Sequence, residues 1–198
     1  METKVYFVRH AESDYNIYND LQRPLTAKGI RDRKLVTKYL DDKNIEIVLS
    51  SPYKRAYDTI LEFAEKNHHI IQCVEDFRER CVDSVWIDDF ETFSRNQWED
   101  FSYRYSDGEC LKEVQERNIR ALSSVLREHK DKNIVVGSHG TALSTIINHY
   151  DESFGFKDFQ KIKRLMPWIV KFVFDDLKCI SIEKVNLFET DNKSQLQL

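Results

Sequence analysis

The sequence has little of what marks a secreted, membrane-spanning or modular protein. It holds four cysteines in 198 residues, at 73, 81, 110 and 179, with no C-x-x-C and no His/Cys pair at ligand spacing. That argues against a disulfide scaffold or a thiolate metal site, and for reduced, mostly buried thiols. No run of about 18 apolar residues exists to cross a bilayer. Met-Glu-Thr-Lys runs straight into an apolar stretch, without the basic flank and cleavage site of a signal peptide. A cytoplasmic protein with no membrane partner is expected. Positive charge is not in excess: 30 Lys+Arg against 34 Asp+Glu give a net charge of -4, which argues against a nucleic-acid partner. Local clusters such as Lys161, Lys163 and Arg164 read as solvated helix faces. No internal repeat, low-complexity linker or acidic metal-site pattern is present.

What is there is one core's worth of apolar sequence. The 41% hydrophobic content supports a single α/β domain over 1–188, with a frayed polar tail at 189–198. Strand-like runs at 4–9, 45–49, 70–74 and 134–138 alternate with amphipathic helices at 26–40, 53–66, 109–129 and 141–149. In the first helix Ile30, Leu35, Val36 and Leu40 form the apolar face. Two apolar runs, 168–174 and 179–185, flank Asp175-Asp176-Leu177 and read as a terminal hairpin. The pattern predicts a three-layer αβα sandwich with a mostly parallel central sheet and a C-terminal antiparallel hairpin. Residues 81–108, with Trp86, Phe90, Phe93, Trp98, Phe101, Tyr103 and Tyr105 among acids, read as an irregular insertion. It is either a lid over a pocket or an aromatic-packed excursion covering the sheet edge.

The chemistry collects where strands end. Val5-Tyr6-Phe7-Val8 delivers Arg9-His10 into a polar turn, and Ile134 to Gly137 delivers Ser138-His139-Gly140. Ile47 to Ser50 delivers Ser51-Pro52-Tyr53-Lys54-Arg55. Ligands of open α/β sheets bind outside the carboxyl ends of the strands, so these imidazoles and guanidiniums converge if the strands are parallel neighbours. A strand end is a rigid mount for a catalytic imidazole, and a guanidinium matches phosphoryl oxygens in charge and geometry.

These residues give the chain its resemblance to the histidine phosphatase superfamily, which includes phosphoglycerate mutases and small phosphatases. Arg9-His10 with Glu12, Ser13 and Asn16 is similar to that family's R-H-G-E-S/T-x-x-N. Arg23-Pro24-Leu25-Thr26 with Gly29 resembles its P-L-T-x-x-G, and Ser50-Ser51-Pro52 with Arg55-Ala56 and Thr59 its S-S-P-x-x-R-A-x-x-T. Glu79 stands where the family has its acid, and Ser138-His139-Gly140 resembles its closing S-H-G. The departures are Ala11 and Thr141, each in place of a glycine, and the absence of a glycine soon after Glu79.

The resemblance implies a metal-independent phosphomonoester hydrolase that needs no cofactor. His10 would be the nucleophile, with its other ring nitrogen donating to a backbone carbonyl. Arg9, Arg55 and a cationic His139 would clamp the phosphoryl group, and Glu79 would serve as acid and then base. A bound phosphate dianion would push Glu79 toward its protonated form. Asn16, Ser13 and the Gly140 amide would supply neutral donors. Two plainer readings stay open: Glu79 as a surface ion-pair residue between Arg78 and Arg80, and Asn16 as a turn stabiliser. The acids between Asp83 and Glu109 disfavour a strongly anionic substrate body. Hydrolysis of a small phosphorylated metabolite is therefore the first reading, with a phosphoprotein substrate open beside it. Mutase chemistry or phosphate binding without turnover are the alternatives.

Overall fold

The computed structural model describes residues 2–189. Past Glu189, the tail expected to fray lies outside them. The elements run β1 (Thr3–Arg9), α1 (Ala27–Leu40), β2 (Ile47–Ser50), α2 (Lys54–Lys66), β3 (Ile71–Cys73), a 3-10 turn (Glu75–Phe77), α3 (Phe90–Glu99), α4 (Leu111–Glu128), β4 (Asn133–Ser138), α5 (Gly140–Tyr150), α6 (Phe156–Ile162), β5 (Trp168–Asp175) and β6 (Lys178–Val185). The expected elements are all present, and α3 and α6 are additional.

Continuous apolar runs become central strands because both sheet faces are covered. The order is β3-β2-β4-β1-β5-β6, parallel from β3 to β1 and antiparallel through the β5-β6 hairpin. Alternate residues of one strand enter opposite cores. Val5 and Phe7 pack with Leu122, Leu143 and Ile146 of α4 and α5. Tyr6 and Val8 pack with Val36, Leu40, Ile60 and Phe63 of α1 and α2. Burying each such side chain contributes roughly 1.5–3 kcal/mol, so the three layers are held from both faces of β1.

Thr26 caps α1, its hydroxyl accepting from Gly29 N at 3.0 Å. Ile30 does not join the apolar face as expected and is 48% exposed. The thiols also differ from expectation: all are free, but only Cys110 is buried, while Cys73 and Cys81 are exposed. No helix among the described residues is long and apolar enough to cross a membrane.

The 81–108 insertion is more ordered than its sequence suggested. Asp89 caps α3 by accepting from Thr92 N at 2.9 Å, and Phe93, Ser94, Gln97 and Trp98 form its buried face. Two polar residues on that face hide the helical stripe. Trp98 lies against Phe159 of α6, ring centroids 5.4 Å apart. The two ends of the insertion are tied where Glu109 N donates to Cys81 O at 2.9 Å. A Cβ on Gly108 would fall 1.9 Å from Val82 O, so this closure requires glycine on the returning segment.

Candidate active site

The three strands named by the sequence motifs lie side by side. Register pairs Arg9 with Ser138 and Ser50 with Gly137, so β1, β2 and β4 end at one level. The ladder continues past their ends: His10 N donates to Ser138 O at 3.0 Å, and Ser51 N to Gly137 O at 2.8 Å. Beyond β1 the chain turns to α1 on one face, and beyond β4 to α5 on the other. Their divergence opens a cavity of about 650 Å³ lined by Arg9, His10, Arg55, Glu79 and Gly140, the expected crevice of an open α/β sheet.

His10 is buried, and its Nδ1 lies 2.7 Å from Ala11 O. A carbonyl only accepts, so Nδ1 carries the hydrogen and Nε2 keeps its lone pair. Arg55 Nε donates to that Nε2 at 3.3 Å. Burial holds the imidazole well below its ordinary 6.5, and Arg55 and then Arg9 push it further down. The ring is therefore neutral at pH 7. Ala11 holds its place without a left-handed backbone, and its N–H donates to Thr59 Oγ1 at 2.9 Å. That hydroxyl donates in turn to Arg55 O at 2.7 Å, so the R-A-x-x-T motif couples the loop after β1 to the first turn of α2.

Both arginines are buried. Arg9 Nη1 donates to Ile162 O and, at 3.3 Å, to Leu165 O. Its guanidinium lies flat against Gly140, where a Cβ would come within 3.1 Å of Nε. Arg55 donates to Asp20 O at 2.6 Å and pairs with the Asp20 carboxylate at 3.1 Å. Its cation lies 5.0 Å from the Tyr53 ring.

His139 stands 5.4 Å from His10, centroid to centroid. Its Nε2 is 2.7 Å from Ser51 Oγ, which also accepts from Tyr53 N at 3.2 Å. A hydroxyl has two lone pairs and one hydrogen, so Ser51 can donate to or accept from Nε2, and Nδ1 has no partner among the described residues. The ring is not the expected cation. Burial first, then Arg55, His10, Arg117 and Arg9, keep His139 well below 6.5, so the ring is neutral. Sequence reasoning missed Ser51, whose signal was its place in the S-S-P motif.

Glu79 is half-buried rather than a surface ion-pair residue. Its carboxylate accepts from Arg80 N at 2.8 Å and from Thr141 N and Ala142 N, at the start of α5, at 3.1 and 3.2 Å. A helix N-terminus offers such amides freely. Thr141 serves through its main chain, so this position works without the family's glycine.

Three candidates fall outside the cavity wall. His139 is fully buried and does not line it. Asn16 is exposed and donates from Nδ2 to Asp14 Oδ1 at 2.9 Å, the geometry of a turn stabiliser. Ser13 is buried beside Leu25, its hydroxyl without a partner among the described residues. The wall gains residues the sequence left unassigned: Tyr15, Arg23, Tyr53, Arg80 and Lys163. Lys163, expected on a solvated helix face, ends α6 and borders the cavity. Three more cations thus face the acids Asp20 and Asp83, and the mouth is less acidic than residues 83–109 implied.

The two depressed histidines give the protein a signature in pH. The unfolded chain takes up protons near 6.5 while buried His10 and His139 do not. Their contribution to stability is therefore complete above 6.5 and is lost as pH falls toward the folded values, by up to about 1.4 kcal/mol per pH unit for each ring. Calorimetric melts between pH 7.5 and 5 in phosphate-free buffer are expected to show this loss, and a His10→Asn/His139→Gln double variant to flatten it. Equal slopes for the two proteins would contradict the assignment.

Comparison with known proteins agrees with this geometry. The sequence matches the histidine phosphatase superfamily (branch 1) over residues 5–180. It is 29% identical over 154 residues to the uncharacterized phosphatase PhoE of Bacillus subtilis, covering 73% of this chain and 76% of that one. Identity to phosphoserine phosphatase 1 of Hydrogenobacter thermophilus is 33% over 150 residues, covering 69% and 70%. A mycobacterial glucosyl-3-phosphoglycerate phosphatase superposes with a TM-score of 0.73 at 15% identity, over 93% of this chain and 97% of the other. With strand ends, motifs and overall fold in one frame, the chain belongs to the histidine phosphatase superfamily.

Proposed function

We propose that this chain hydrolyses phosphomonoesters through a covalent phosphohistidine on His10. The observation that supports it most is the bond from His10 Nδ1–H to Ala11 O at 2.7 Å, which reserves the Nε2 lone pair at the cavity floor for attack on phosphorus. In the first step Nε2 bonds to phosphorus, the P–O bond to the alcohol breaks, and Glu79 gives its proton to the departing oxygen. In the second, Glu79 takes a proton from water, the oxygen attacks phosphorus, and the P–N bond breaks to restore the imidazole. Arg9 and Arg55 neutralise the non-bridging oxygens, and His139, in the tautomer with hydrogen on Nδ1, and the Gly140 amide donate to them. Each charge-assisted bond contributes roughly 1.5–3 kcal/mol, and such fixed donors favour developing charge without reorganising. The arginines supply the charge a metal ion would otherwise bring.

A cavity of about 650 Å³ suits a small phosphorylated metabolite. Arg23, Arg80 and Lys163 on its wall suit an alcohol that also carries a carboxylate, as in phosphoserine, the substrate in one relative's name. The test pairs steady-state hydrolysis of phosphoserine, a phosphopeptide and p-nitrophenyl phosphate, without added metal, with a Glu79→Gln variant. With p-nitrophenyl phosphate the variant should show a burst of nitrophenolate, followed by turnover slowed by about 10²-fold. That leaving group departs without help, but water attack still needs the base. Phosphoryl transfer from a phosphoglycerate to a second glycerate faster than phosphate release would replace hydrolase by mutase. Binding with no turnover of any ester would reduce the chain to a phosphate-binding module.

A further inference from the structure

Glu79 lies on a stretch, 78–83, with no helix or strand of its own, yet its side chain must meet a leaving oxygen to within a fraction of an ångström. What fixes that stretch lies behind it, on α4. Arg117 is only 4% exposed, in a buried helix stripe that Asn118 shares with the apolar Leu111, Val114, Ala121 and Leu122. Its Nη1 donates to Asp76 O at 2.8 Å and Arg78 O at 2.9 Å, and its Nη2 to Glu79 O at 3.2 Å. The remaining donors pair bidentately with Glu109, at 2.7 and 3.0 Å. All five N–H groups of the guanidinium are thereby used. Glu109 completes the frame by accepting from Cys81 N at 2.9 Å. The main chain on both sides of the acid is thus held by one ion pair, while α5 receives its carboxylate.

We infer that Arg117, paired with Glu109, is a positioning residue that holds Glu79 where it can protonate the leaving group. This rests on the acid role proposed for Glu79. Only a planar fork reaches three carbonyls and a carboxylate together, so lysine cannot substitute. A buried charge with five partners is also a costly way to fill a buried stripe, since leucine would pack there without desolvation. Its bonds converge on the acid's segment rather than on the core.

The test separates positioning from stability by leaving group. Nitrophenolate departs without a proton and an aliphatic alkoxide does not. For Arg117→Lys, kcat/KM toward glycerol 2-phosphate should fall by about 10²-fold while that toward p-nitrophenyl phosphate falls by less than about 5-fold. In a Glu79→Gln background the same substitution should add no further loss on glycerol 2-phosphate. Equal losses on the two esters, or losses that multiply in full with Glu79→Gln, would overturn the inference. Should Arg117→Lys not fold, Glu109→Gln keeps the shape and the three carbonyl bonds. It should show the same selectivity at about 10-fold, and equal losses there would overturn the inference too. A wild type that hydrolyses neither ester, or does so after His10→Ala, would instead refute the proposed function.

Discussion

Replacing His10 by alanine should lower kcat/KM for p-nitrophenyl phosphate by about 10⁴-fold or more, while inorganic phosphate still binds. The loss is large because no other group in the cavity can take over. His139 is the nearest imidazole, but it is fully buried, does not line the cavity, and has its Nε2 against Ser51 Oγ at 2.7 Å. The arginine Nε and Nη atoms are donors without a lone pair. Binding persists because Arg9 and Arg55 keep their own anchors, on Ile162, Leu165 and Asp20. Isothermal titration with phosphate beside the rate measurement checks both halves. An alanine variant that turns over within 10-fold of wild type would remove His10 from the chemistry.

The second large effect is expected at Arg55. Arg55→Met should cost about 10³-fold in kcat/KM, and the acid limb of its pH profile should move upward. The rate loss follows from removing a buried cation that bonds His10 Nε2 at 3.3 Å and is held by Asp20. The pH shift follows from charge. Burial is the largest influence holding His10 below 6.5, and the Arg55 charge comes next in the same direction. Without that charge His10 protonates at higher pH, and the protonated ring cannot attack. Arg55→Lys should return the limb toward its wild-type place by restoring charge, yet recover only part of the rate, since the fork geometry is gone. An acid limb that stays put in Arg55→Met would contradict the electrostatic reading.

The parts of this site that were legible in the sequence are those written in local patterns. Apolar runs ending in Arg9-His10, Ser51 and His139 carried strand, boundary and site residue in one stretch, and neighbouring parallel strands turned them into one cavity. The neutral state of His139 was not legible, because it depends first on burial and then on Arg55, His10, Arg117 and Arg9, which only the fold gathers around it. Asn16 stood in the right motif, but the turn closes on Asp14 instead. Helix α3 was hidden by Gln97, a polar residue that is fully buried because it donates to Tyr103 O and Glu109 O at 3.2 and 3.1 Å. Arg117 could have been found: it interrupts the apolar spacing of α4 three residues after Val114, and a charge there demands partners. Lys163 could not, since only the tertiary placement of α6 brings it to the cavity.

Which atom of the protein carries the phosphoryl group decides between His10 and every other candidate. Wild-type enzyme mixed with excess p-nitrophenyl phosphate, quenched in base within the first turnovers and digested, should yield one phosphorylated peptide, the one containing His10. Phosphorus NMR should assign the phosphoramidate to Nε2, since Nδ1 is committed to Ala11 O. Turnover with no phosphohistidine under these conditions, or phosphate on any other residue, would contradict His10 as the nucleophile.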